Sequence, residues 1–337
     1  MIAEDERNRA DEDDERDYFE SYADPGVHRL MIGDHARTDA YRRALEEVVR
    51  PGDTVLDVGT GSGILALFAA RAGARQVFAV DESAILETAR KLGRINGLDK
   101  QVSFRRGRAE DLQLPERVDL LVSEWMGFFA LAECMFLSVM EARDKNLKPG
   151  GTMMPSALRL HLVPVDDTSL HAELGVGLWE RPVHGLDFKP MLEQELRCLI
   201  TSTADLAPSS FLGPEALLLE LDCAKASGQD FFFEQYVTLE IERDGTVHGF
   251  GGWFDVDLSP TVTLSTSPSA PATHWRQSFF PVRPFPVRQG DIIELEFTAR
   301  PKEYGDRRLP LYFIEAEVSR EGEPSHHFFY SYDGSFE

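Results

Sequence analysis

The sequence predicts two structural parts in one chain: an α/β part built on a parallel sheet, followed by an antiparallel β part of barrel or sandwich type. Three observations predict it. Between residues 54 and 124 short apolar runs alternate with amphipathic helical ones, the order of a parallel sheet covered by helices. The first apolar run ends in a glycine turn, the joint where such sheets place ligands. Beyond residue 156 the pattern changes to period-two alternation broken by Asp-Gly and Gly-Gly pairs, the signature of antiparallel strands. A length of 337 residues fits about two domains of roughly 150 residues each.

Residues 1–16 carry few large apolar side chains and many acids, too little apolar surface to repay ordering, so a mobile tail is expected there. Residues 17–50 hold N-terminal helices. In ARTDAYRRALEEVV, residues Ala36, Ala40, Ala44 and Val48 recur four apart, one face of a helix, which Pro51-Gly52 stops. TVLDV (54–58) reads as a strand and ILALFAARAG (64–73) as a helix closing on Gly73. QVFAVDES (76–83) is a strand and turn, ILETARKLGRING (85–97) a helix, QVSFRRG a strand, and VDLLVSE (118–124) an apolar strand. The first domain spans 51–155, with the boundary near Pro155, and the second 156–337. Within the latter, ALRLHLVPV, YVTLEIERDGTVHGFGGWFDVDL and DIIELEFTAR alternate as strands, while about 167–190 follows neither period and reads as an inserted arm.

Composition narrows the function. Hydrophobic residues at 42% and charged residues at 28% are ordinary globular usage, which excludes collagen-like, disordered and disulfide-scaffold classes. The net charge of −23 repels phosphate backbones and anionic membranes and attracts cations, so the expected partner is basic, with neither nucleic acid nor membrane. Cys134, Cys198 and Cys223 are too scattered for a disulfide framework or metal cluster and read as reduced, buried thiols; no metal is expected. The acidic first residues are unlike a signal peptide, no run approaches the roughly 18 apolar residues of a membrane helix, and a cytoplasmic location is expected.

Glycines 59, 61 and 63 follow the first strand, allowing a tight turn and close ligand approach. Their spacing is G-x-G-x-G, whereas a dinucleotide site favours G-x-G-x-x-G with pyrophosphate on the helix end. Asp57, two residues before the turn, disfavours phosphate and suits an amino group or sulfonium. Asp81 ends the second strand, placed to accept from a ribose diol. These features favour S-adenosylmethionine over NAD. In SEWMGFFALAECM (123–135), Glu124 follows an apolar strand and Glu133 comes nine residues later, beyond a bend at Gly127. Two carboxylates at one strand end suit the planar guanidinium fork; solvated surface glutamates are the competing reading.

Five co-linear segments, YFESYADPGVHRLMIGDHART (18–38), VLDVGTGSGILALFAARAGA (55–74), SEWMGFFALAECM (123–135), ARDKNLKPGGTMMPS (142–156) and STSPSAPATHW (265–275), resemble the protein arginine methyltransferases. The resemblance implies a Rossmann-like class I methyltransferase domain, then an antiparallel β-barrel-like domain with an inserted helical dimerisation arm that includes Trp179, Gly185 and Phe188, and hence a homodimer. It implies that Glu124 and Glu133 bind the substrate guanidinium and that Asp57, Gly59, Gly61, Gly63 and Asp81 serve the cofactor, with Ala109 and Glu110 at adenine. His28 and Arg37 would close over the cofactor, Arg37 pairing with its carboxylate. His274, partnered by Asp34, would face the site as a proton acceptor. Tyr18, Phe19 and Tyr22 would form a lid, and Tyr18, Tyr22, Met31 and Trp275 would contact substrate. Packing and surface roles compete for each of these residues taken singly.

The implied activity is methyl transfer to arginine of a basic protein or peptide, giving mono- and asymmetric dimethylarginine. Four positions depart from the family pattern: Phe128 where tyrosine is common, Ala132 and Ala272 where aromatics are common, and Asp81 where the longer glutamate is usual; the two missing aromatics suggest a wider site. A methyltransferase acting on small-molecule guanidines is therefore one rival, and a non-catalytic module for basic peptides another.

Overall fold

The computed structural model describes residues 22, 24–197, 199–302, 308–320 and 324–336. The acidic tail, Tyr18, Phe19 and Cys198 lie outside the described residues. Two short helices come first, α1 (Pro25–Gly33) and α2 (His35–Val48). Asp24 caps α1, and Pro25 stands at its first turn, where a missing N–H costs nothing. Ala40, Tyr41, Ala44 and Leu45 form the buried face of α2.

The first sheet has strands β1 (Thr54–Val58), β2 (Gln76–Asp81), β3 (Val102–Arg106), β4 (Val118–Ser123) and β5 (Leu147–Met154). Helices α3 (Ile64–Ala72), α4 (Leu86–Ile95) and α5 (Phe136–Asn146) connect them. The spatial order is β3-β2-β1-β4-β5, and every pairing is parallel. The order reverses direction between β1 and β4, which opens a crevice at the carboxyl ends of those strands. All five residues of β1 are buried, as a strand covered on both faces must be.

The second sheet comprises β6 (Ala157–Val165), β7 (Leu199–Ala204), β8 (Ala216–Asp222), β9 (Glu234–Glu240), β10 (Gly245–Asp257), β11 (Thr263–Ser265), β12 (Gln277–Val287), β13 (Ile292–Arg300), β14 (Leu311–Ser319) and β15 (His326–Phe336). Its order is β8-β6-β10-β12-β7-β15-β14-β13-β9, with β11 on β10; the outermost strands β8 and β9 touch, so the sheet curls toward a barrel. One pairing, β15 with β7, is parallel, so the antiparallel expectation holds for the hairpin-linked strands and fails where the chain returns across the barrel. The segment that matched neither period is helical: α6 (Thr168–Leu174), a 3-10 turn (Val176–Glu180) and α7 (Lys189–Glu195).

Aromatic packing locks the sheets together. Phe136 of α5 stacks on Phe231 at 4.3 Å, and Trp125 meets the same ring edge-on at 5.3 Å. Arg143 of α5 is buried and donates to the carbonyls of Cys223 and Ala226, both at 2.7 Å. Cys134 and Cys223 are buried, and the Cys134 thiol donates to the Leu131 carbonyl at 3.6 Å. No helix among the described residues is long and apolar enough to cross a membrane.

Candidate active site

Three residues on one face of α2 organise the crevice. Asp34 is the N-cap: its Oδ1 accepts from the Arg37 N–H at 3.0 Å, while Oδ2 accepts from the His274 backbone N–H at 2.9 Å and lies 2.8 Å from His274 Nδ1. Arg37, one turn on, forms an ion pair with Glu124, Nε donating to Oε2 at 3.0 Å, and its Nη1 donates to the Met31 carbonyl at 3.1 Å. Both side chains of the pair are under a tenth exposed. Tyr41, a further turn on, donates its hydroxyl to the carbonyl of Ser123 at the end of β4, at 3.0 Å. Residues 34, 37 and 41 share a face because of the 3.6-residue period.

Glu133 returns to the same place through a strained turn. Hydrogen bonds from Ala130 N–H to Gly127 O at 3.0 Å and from Ala132 N–H to Phe128 O at 3.1 Å close the loop. Phe129, Ala130, Glu133 and Cys134 all adopt positive φ, between 49° and 71°, a conformation that costs about 1–3 kcal/mol per non-glycine residue and clusters at functional sites. Packing sustains it. The Phe129 ring is buried against Phe280 at 5.2 Å and Tyr312 at 5.9 Å, and a Cβ on Gly252 would sit 2.5 Å from it. Trp275 Nε1–H donates to the Met126 carbonyl at 2.8 Å. Trp275 is only 3% exposed and is tied to the glutamate loop through this bond.

A cavity of about 270 Å³ opens beside Glu133, walled by Gly59, Asp81, Ala109 and Glu110 together with Tyr22. Tyr22 is half-buried there, and burial, followed by the charges of Glu124, Glu133 and Asp81, holds its phenol far above the ordinary value. Tyr22 also approaches Met31 Sδ at 3.8 Å and meets His28 edge-on at 5.3 Å. Met31 therefore faces this cluster through its sulfur. Glu82, Arg108, Met135, Ser138 and Arg308 also line the cavity. Position beside Asp81 and Ala109 was the available signal for Glu82 and Arg108. Arg308 comes from the turn that precedes β14, and nothing local to it announces the cavity.

The other expected cofactor residues stand behind this wall. Gly61 donates its N–H to Asp81 Oδ2 at 2.7 Å with φ of 51°, and a Cβ there would lie 3.1 Å from the His28 ring. Gly63 is the N-cap of α3 and packs close to Phe104 and Ala89, a helix-to-strand joint. Asp57 is fully buried beneath the turn, its Oδ2 accepting from Thr60 Oγ1 at 2.6 Å. Burial, opposed by the Thr60 hydrogen bond, raises its carboxyl to about 7. Asp34 behaves oppositely: burial pushes it up, but hydrogen bonds from His274 and Arg37 outweigh that and hold it below the usual carboxylate range. Burial depresses the His28 imidazole. Arg37 bonds Glu124 here, where the sequence reading gave it the cofactor's carboxylate.

The cavity fits S-adenosylmethionine. Carboxylates of Asp81 and Glu110 offer acceptors for hydroxyl and amino groups, and His28 Nε2, on the ring beside Gly61, is buried without a hydrogen-bond partner, a polar atom that a ligand or water normally satisfies. Of the two alanines expected to widen the site, Ala132 is 2% exposed and borders no open space, whereas Ala272 lines a second, broader groove of about 1240 Å³ that also meets Asp34 and His274. Among the described residues no cluster of metal-ligating side chains occurs.

Comparison with known proteins agrees with this geometry. Residues 156–314 match the family described as the arginine methyltransferase oligomerization subdomain, and residues 23–158 match that of the ribosomal protein L11 methyltransferase. The chain is 34% identical to protein arginine N-methyltransferase 1 of Schizosaccharomyces pombe, covering 87% of each. It is 38% identical to protein arginine N-methyltransferase PRMT10 of Arabidopsis thaliana, over 82% of this chain and 81% of that one. The crystal structure of Arabidopsis thaliana protein arginine methyltransferase 10 superposes with a TM-score of 0.84 at 33% identity, covering 94% of this chain and 100% of that one. A Trypanosoma brucei PRMT1 enzyme-prozyme heterotetrameric complex with AdoHcy gives 0.86 at 29% identity, with the same coverage.

The raised Asp57 carboxyl makes a testable pH signature. Unfolded, it titrates near about 3.9; folded, at about 7. Between those values the folded state keeps a proton that the unfolded chain has lost. Stability therefore falls as pH rises through this window, by up to roughly 1.4 kcal/mol per pH unit from this group. Urea midpoints across the window should show that slope in the wild type and a flatter profile in Asp57→Asn; equal slopes would show that Asp57 folds ionised.

Proposed function

Because the chain belongs to the protein arginine N-methyltransferase family, we propose that it transfers methyl groups from S-adenosylmethionine to a guanidinium nitrogen of arginine in a basic protein or peptide, giving mono- and asymmetric dimethylarginine. The reading is supported by Glu133 in the wall of the cavity beside Gly59 and Asp81, and by Glu124, just past the end of β4, fixed by Arg37. S-adenosylmethionine, the cofactor of this family, supplies an electrophilic sulfonium methyl when bound. Gly59, Asp81, Ala109 and Glu110 would hold it, under the cover of His28 and Tyr22.

The chain's own residues then have defined work. An arginine side chain is always protonated, with a pKa above about 12, and its delocalised charge makes its nitrogens poor nucleophiles. Glu124 and Glu133, accepting from its N–H groups, draw positive charge toward one edge of the guanidinium and leave lone-pair density on the nitrogen turned to the cavity. Glu124 arrives pre-set: Oε2 is held by Arg37, and Oε1 accepts from the Met126 N–H at 3.3 Å. Such fixed charge needs no reorganisation as the reaction proceeds. The methylated nitrogen must shed a proton. Asp34 accepts, so His274 Nδ1 carries the hydrogen of that bond; in the neutral ring the lone pair is then on Nε2, the proposed proton acceptor. The assignment of asymmetric product rests on Met31 facing Tyr22 and on the intact Thr273-His274-Trp275 run.

The arm that carries α6 and α7 exposes Leu178, Leu186 and Met191, apolar side chains that suit burial against a second copy, and its family model is an oligomerization subdomain. The second reading, a small-molecule guanidine as acceptor, rests on Ala272 alone.

Radiolabelled transfer to an arginine peptide, with mass spectrometry of the product, should show mono- and asymmetric dimethylarginine. Glu133→Gln should lose turnover by at least about 10²-fold, the scale of one charge-stabilising group, while still binding cofactor; undiminished turnover would remove Glu133 from the mechanism. Light scattering should give a dimer mass that Leu178→Glu with Leu186→Glu reduces to that of one chain. An unchanged mass would exclude the arm as the contact.

A further inference from the structure

The broad groove beside His274 runs between α1, α2 and the segment around Ala270 to Ala272. Its lining contradicts the protein's overall charge. In a chain of net −23, the groove gathers Arg29, Arg42 and Arg43 against Asp34 and Asp39. The two acids are already taken. Asp34 holds His274, and Asp39 pairs with Arg42 at 3.3 Å, which Glu46 also meets at 3.0 Å. Among the described residues, Arg29 and Arg43 are exposed and have no ion-pair partner. Two guanidinium forks are thus presented to a groove whose far wall is small, with Ala270, Pro271 and Ala272.

The groove meets the candidate site at Asp34 and His274, both of which line it. Arg43 follows Arg37, the partner of Glu124, by six residues on the same helix, about 9 Å along the axis and turned about 120° around it. Arg29 precedes by two residues the Met31 carbonyl that Arg37 bonds. An extended peptide advances about 3.3 Å per residue, so a side chain about three positions from the methylated arginine comes level with these cations. A lysine or arginine there would meet like charge; a carboxylate or phosphate would match the guanidinium fork.

Resting on the arginine methyltransferase reading, we propose that this groove selects substrates in which an anionic side chain stands about three residues from the target arginine, held by Arg29 and Arg43. The protein's acidic field attracts cationic chains generally; the groove adds a local requirement of opposite sign, so the preferred substrate is mixed in charge and not uniformly basic.

The test uses the full chain and single-arginine peptides that carry serine, lysine, aspartate or phosphoserine three positions to either side of the arginine. In the wild type, aspartate and phosphoserine should raise kcat/KM about tenfold over lysine, the scale of two partly exposed charge pairs, chiefly through KM. Added salt should shrink the preference. Arg29→Glu with Arg43→Glu should invert the order. A wild type indifferent to the flanking charge, or a double variant with the same order, would overturn the inference while leaving arginine methylation intact. If no arginine peptide accepts a methyl group, the functional reading falls and this inference with it. If the double variant changes the mass of the protein in solution and keeps the wild-type order, the groove is an interface between copies and the proposal is wrong. A response to phosphoserine and not to aspartate would identify phosphorylated substrates as the source of the anion.

Discussion

The pairing of Arg37 with Glu124 is the contact on which the site depends. Both groups are nearly buried, and taking two charges out of water costs several kcal/mol per ion, so the pair adds little net stability compared with an apolar substitute. What it gives is position. A helix that could otherwise slide across the sheet edge is registered against the carboxyl end of β4, with Tyr41 bonding Ser123 one turn further on. The same helix begins on Asp34, whose second oxygen fixes His274. One short helix thus sets both the carboxylate that would meet a guanidinium and the imidazole that would take its proton.

The second sheet supports this arrangement from the other side. Its Trp275 bonds the Met126 carbonyl, and its Phe280, Phe297 and Tyr312 enclose Phe129. The four positive-φ residues of the glutamate loop persist because this packing leaves them no relaxed alternative. Strain borne by the loop and buried contact on the barrel are two halves of one device that holds Glu133 beside the cavity.

Much of this was legible in the sequence, and for identifiable reasons. The parallel strands and glycine turn are local patterns, so β1, β2 and β4 fall where the apolar runs place them. Glu124 and Glu133 were readable as a pair because one follows a strand and the other follows a bend. Arg37 was legible as a site residue but its partner was not, since Glu124 is 87 positions away. The bond from Trp275 to the Met126 carbonyl was not legible either, since the direction of a side chain is set by tertiary packing. Ala132 was expected to widen the site for the same want of information; it is buried. Arg308 reaches the cavity from the turn before β14, and no local spacing encodes that approach. The helices of the arm were hidden by their brevity, seven residues each for α6 and α7, too short to display a period.

The central claim is geometric: a substrate guanidinium sits between the carboxylates of Glu124 and Glu133 at the end of β4. A crystal structure of the protein with S-adenosylhomocysteine and an arginine peptide tests it most directly. The account predicts hydrogen bonds from the guanidinium to both carboxylates, with one terminal nitrogen turned toward the cofactor's sulfur. A guanidinium bound elsewhere, or held by neither glutamate, would contradict it.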